Sequence, residues 1–151
     1  MRRMLMAAVG LTAMTLATSV YAQGTEAEAK ALLAKAVAAV KADQAKAVAM
    51  FTAGEGGFLD RDLYVFCMNT KDGKIATTQV KQFIGTDARE LKDATGKLYG
   101  PDLFAGAQKD TITQVEYMFP RPGADKTPVS KVSFVTRASA DLGCGVGYYK
   151  Q

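Results

Sequence analysis

Leu63 to Met68 is an unbroken apolar run, rich in aromatic and β-branched residues. Such a run suits a strand covered on both faces better than one with a wet side. Asn69 to Gly73 follows with turn chemistry: Asp72 favours the bend, and Gly73 is free to take positive φ. Lys74 to Gln79 can then return as the partner strand. The expectation is a central hairpin strand with a layer on each side.

The start of the chain reads separately. Arg2 and Arg3 form a basic end, Met4 to Val20 is apolar with small residues, and Val20-Tyr21-Ala22 fits a small-x-small cleavage site. The expected division is a signal peptide over 1–22 and a single domain over 23–151, with Gln23 as the first mature residue. The apolar run is short for a membrane span. Removing Arg2 and Arg3 takes 19 Lys+Arg to 17 against 15 Asp+Glu, so the net charge falls from +4 to +2. So modest a balance gives no reason to expect a nucleic-acid partner. A domain of this length buries roughly two-thirds of its unfolded surface and needs no staple to fold.

The residue inventory narrows the chemistry. There is no His, which removes Ser-His and Cys-His nucleophile pairs and the commonest metal ligand. Cys67 has no imidazole partner and sits in an apolar strand, a poor setting for a thiolate. Asp60 and Asp62 flank a strand start and read as turn residues. Thr70 to Gly73 ends like a calcium loop but has Met68 where the first Asp belongs. The expectation is a non-enzyme with no cofactor and no metal. Cys67 and Cys144 are the only cysteines, each in a predicted strand. In an exported protein they pair if those strands are neighbours, and otherwise they are buried thiols.

Taken in order, Thr25 and Glu28 match a capping box, and one Ala-rich helix is expected from there to about Phe51. Leu33, Val37, Val40, Val48 and Phe51 form its apolar stripe, which suits packing along a sheet, with a dimer seam the alternative. Gly54 to Gly57 ends it. Asp87 or Thr86 can cap a short turn, Asp93 to Gly96 bends, and Pro101 can open a short helix through Ala107. Thr111 to Phe119 alternates, with Val115, Tyr117 and Phe119 on one side. Pro120 to Pro128 reads as a hairpin loop, Val129 to Arg137 as a strand. Gly143 to Tyr149 is a last strand, glycine on one face and Cys144, Val146 and Tyr148 on the other. A helix, two strands, short helices and three strands make an α+β domain with a five-stranded antiparallel sheet.

These pieces resemble the single Cache domains of type 2, PAS-like extracytoplasmic sensor domains. The resemblance rests on Leu63 to Phe66, Asp72-Gly73, Ile84-Gly85 with Asp87, Leu91 with Asp93 and Gly96-Lys97, Val115 to Tyr117, Pro120, Pro122, Lys131 to Phe134 and Gly145 to Tyr148. Their order runs from Phe51 to Tyr149. It implies a Cache fold with the long N-terminal helix on one face of the sheet, and short helices and loops enclosing a pocket over the other. It also implies that the first and last strands are neighbours, which would join Cys67 to Cys144 in a disulfide. Where the family often has His-Pro, this chain has Ile75 to Thr78. No long apolar segment follows Tyr149, so a stand-alone domain that signals through a membrane receptor or transporter is expected.

A pocket over that sheet makes Tyr64, Phe66, Tyr117, Phe119 and Tyr148 candidates for an aromatic wall. Thr77, with Thr78, is a candidate hydroxyl at its edge. Lys131, with Arg121 and Lys126 in the loop before it, is the candidate cation for a carboxylate. The functional expectation is a soluble periplasmic or secreted module that binds a small organic anion. The alternative is a secreted interaction module whose pocket its own side chains fill.

Overall fold

The computed structural model describes residues 22–123 and 125–151. The signal-peptide reading falls on residues outside these, apart from Ala22. Two helices, α1 (Glu26–Ala42) and α2 (Gln44–Ala53), precede a short strand β1 (Leu59–Asp60) and the hairpin β2 (Leu63–Asn69) and β3 (Ile75–Thr77). Two single 3₁₀ turns and α3 (Gly100–Ala107) follow, then β4 (Thr113–Pro120), β5 (Pro128–Arg137) and β6 (Leu142–Tyr149). All pairings are antiparallel, in the order β1-β2-β6-β5-β4, and β3 also pairs with β2. The five expected strands are present, and β1 adds a sixth of two residues.

The expected capping box is made: the Thr25 hydroxyl accepts from the Glu28 N–H, and the Glu28 carboxylate accepts from the Thr25 N–H. The single helix expected to Phe51 is in fact two. Asp43 takes an extended backbone (φ −161°, ψ 99°), ending α1, and its carboxylate accepts the Lys46 N–H to cap α2. A short acid bonds to nearby backbone better than it sits inside a helix, and the surrounding alanines hide that break from a pattern search. Gly54 closes α2 at φ 74°.

β2 explains the two layers. Leu63, Val65 and Cys67 point to the helical side and join Leu33, Val40, Phe51, Val132, Phe134 and Val146 in one core. Met68 faces the other way, into a second core with Ile75, Tyr99, Leu103, Val115, Tyr117 and Val135, and Phe66 packs against it. The apolar stripe of α1 and α2 is thus spent on the sheet. Cys67 and Cys144 face each other across β2 and β6 and form a disulfide in the first core. Pro120 and Pro128 belong to strands rather than to the loop. They pair at the last rung of the β4-β5 ladder, where a missing N–H costs little.

Candidate ligand-binding site

β6 places glycine at 143, 145 and 147, all on the side away from α1 and α2. What lies in those gaps is specific. A Cβ on Gly143 would meet Ala107 of α3 at 2.3 Å, and one on Gly145 would meet the Phe66 ring at 2.4 Å. One on Gly147 would meet Lys131 Cε and Ser133 Oγ, each at 2.6 Å. The third gap lets the Lys131 side chain leave β5, cross β6 and donate from Nζ to the Tyr64 hydroxyl of β2 at 3.0 Å.

Lys131 is 1% exposed. Its ammonium faces the rings of Tyr64, Tyr149 and Phe119, at 4.4, 4.9 and 5.1 Å from their centroids. Burial pulls its pKa below the ordinary amine value, with only weaker opposition from Tyr117 and Asp62. Burial likewise pushes the Tyr64 and Tyr149 hydroxyls up, so both stay protonated as donors. Among the described residues the ammonium has one hydrogen-bond partner, Tyr64, and no carboxylate in ion-pair contact. An ammonium carries three donors, so capacity remains.

Tyr64, Phe119 and Tyr149 also line a recess of about 600 Å³. Lys81, Lys92, Arg121 and Lys126 stand on its wall, against one acid, Asp93. That acid is committed elsewhere: it accepts from Thr95, Lys97 and the Met118 N–H, which ties its loop to β4. Lys81 is likewise bonded to the Thr52 carbonyl. Beneath the recess a smaller void of about 30 Å³ is closed in by Phe66, Ile75, Tyr99 and Leu103.

These features make a cationic, aromatic-walled pocket on the face of a PAS-like sheet opposite α1 and α2. The family profile described as Single Cache domain 2 matches residues 4–148. The chain belongs to that family. Among solved structures, it is similar to a methyl-accepting chemotaxis protein from Vibrio parahaemolyticus RIMD 2210633. The TM-score is 0.65 at 20% identity, over 82% of this chain and 87% of that one. It is also similar to a periplasmic sensor domain of a chemotaxis protein, with TM-score 0.61 at 21% identity over 81% and 88% of the two chains. A third similarity is to a Cache chemosensory domain described for carboxylic acid recognition, with TM-score 0.58 at 22% identity over 81% of each chain. No curated protein matches the chain in sequence.

The Cache pocket gathers most of the residues singled out in the sequence. Tyr64, Phe119, Arg121 and Lys126 line the recess, with Lys131 behind its ring wall. Phe66, Thr78 and Tyr117 border the inner void. Tyr117 also bonds Ser133 at 2.8 Å and stacks on Tyr99 at 4.0 Å. Two candidates stand elsewhere. Thr77 bonds the Thr52 hydroxyl of α2 on the helical face, because a register shift between Cys67 and Met68 and the alternation of β3 turn it that way. Tyr148 lies on the same face, stacked on Phe134 and donating to Glu26, since it alternates with Gly147. Tyr149 takes the place expected of Tyr148, donating to the Pro120 carbonyl at 2.7 Å. The glycine periodicity of β6 carried that signal, because Tyr149 is two residues beyond Gly147.

Proposed function

We propose that this Cache domain is exported to the periplasm, there binds a small organic anion with a carboxylate as its charged end, and passes the event to a membrane receptor or transporter. The observation that carries this reading is the Lys131 ammonium: buried, bonded only to Tyr64 among the described residues, and set behind the aromatic wall of a cationic recess. A buried charge without a counter-charge is costly, and a carboxylate arriving over Tyr64 and Tyr149 offsets that cost through charge-assisted hydrogen bonds. The description of one similar structure in terms of carboxylic acid recognition points the same way. No helix among the described residues is long and apolar enough to cross a membrane.

A thermal-shift series tests the reading, using C2 to C5 monocarboxylates, dicarboxylates, the matching amides and the matching amines. A carboxylate at a hundredfold excess over Kd raises stability by about 2.7 kcal/mol, and amides and amines do not. The inner void favours a second reading, because only about 30 Å³ is left between Phe66, Ile75, Tyr99 and Leu103. If no anion shifts the transition, the domain works as an interaction module with a filled pocket.

A further inference from the structure

A second recess lies beside the first, at the start of β2, built around Asp62 and sharing Arg121 and Pro122 with it. Its Oδ1 accepts the Gly24 N–H at 2.7 Å. Its Oδ2 is shielded from solvent and has no hydrogen-bond partner among the described residues. Asp62 lines a recess of about 170 Å³ together with Ala22, Gln23, Arg61, Arg121 and Pro122. Neither arginine answers Oδ2. Arg61 is committed to Glu28, Asp60 and the Gln23 carbonyl. Arg121 lies against the Tyr149 ring, and its Nη1 is likewise buried with no hydrogen-bond partner among the described residues. The segment beside the recess is firmly seated: Gly24 is buried, and a Cβ there would meet Leu63 Cγ at 2.2 Å.

We infer that this recess is a binding site for a primary ammonium, and that its occupant is the α-amino group of Gln23 once the chain is cleaved after Ala22. The inference rests on the export reading above. The Gln23 nitrogen is the backbone nitrogen next before the Gly24 N–H that Asp62 already accepts, and Gln23 borders the same recess as Asp62. As a peptide nitrogen it has one donor. Freed by cleavage, it becomes a cation with up to three. Processing therefore supplies the missing partner of Asp62 Oδ2 and fixes the start of α1 to the strand that carries Tyr64.

The test uses the full chain, exported and processed. A second version carries a Gly-Ser pair inserted between Ala22 and Gln23, so cleavage after Ala22 leaves the amine two residues away. Each is made with Asp62 and with Asp62→Asn, and intact mass reads every N-terminus. Asp62→Asn is expected to lower the Tm of the natural start by about 5 °C. The insertion alone should lower it similarly, and Asp62→Asn in the inserted protein should add little. A second readout is cyclisation of the N-terminal glutamine, in which the α-nitrogen attacks the Gln23 side-chain carboxamide carbon and ammonia leaves. An ion-paired ammonium has no lone pair for that attack, so Asp62→Asn should speed the loss of ammonia several-fold. An equal Tm loss in both versions, as a water-filled recess would give, together with unchanged cyclisation, overturns the latch and leaves the export reading intact. A mass showing cleavage at another residue overturns the latch alone, and an uncleaved chain still starting at Met1 overturns both.

Discussion

Lys131 and Tyr64 bond at 3.0 Å although their strands are not neighbours: β6 runs between β5 and β2, and Gly147 is where the lysine crosses it. This contact couples three strands and sets a cation behind the pocket wall.

Lys131→Met tests the cation. It removes a desolvated charge and strands only the Tyr64 hydroxyl, so calorimetry of the free protein should find its stability changed by less than about 1 kcal/mol. Binding of the best carboxylate should weaken by about 1.5–3 kcal/mol. A large stability loss without ligand would make Lys131 structural.

Gly147→Ala tests the crossing. The added methyl meets Lys131 and Ser133 inside contact distance and should cost about 1–3 kcal/mol of stability by overpacking. It should also turn Lys131 away from Tyr64. Titrations of the single and double variants should then show that its affinity loss is not additive with that of Lys131→Met.

Tyr64→Phe and Tyr148→Phe separate the two faces of the sheet. The first removes the only hydrogen-bond partner of Lys131 among the described residues and should weaken carboxylate binding. The second removes a bond to Glu26 on the helical face and should leave the titration unchanged.

Replacing Cys67 and Cys144 by Ser opens a loop of sequence separation 77. In the chain-entropy model this costs roughly 4–5 kcal/mol, to be read as a lower denaturation midpoint. Alkylation of both thiols in the denatured, unreduced wild-type protein would contradict the bond.

Asp93 gives the pH dependence. Its bonds from Thr95 and the Met118 N–H hold its pKa at about 2, below the ordinary 3.8. A carboxylate depressed on folding stabilises fully above its unfolded value, and that contribution is lost as pH falls through the folded one. Hydrogen-exchange protection of the Met118 amide should therefore drop between about pH 4 and pH 2, while that of β6 persists.

Much of the fold was legible in the sequence because it rests on local rules. The doubly apolar run of β2, the Gly73 turn, the Thr25–Glu28 box, the Gly54 stop and the alternation of β4 each act over a few residues. Asp43 acts locally too, yet within an alanine-rich run the competition between cap and helix was hidden. What the sequence could not decide is which face a pocket residue meets. Thr77 and Tyr148 have suitable chemistry, but strand period and register turn them to the helices. The sequence supplied Lys131, Gly147 and Tyr64 as three separate residues. Only the antiparallel order of β5, β6 and β2 makes them one contact, because an ammonium can be buried beside a distant hydroxyl only where the strand between them offers no side chain.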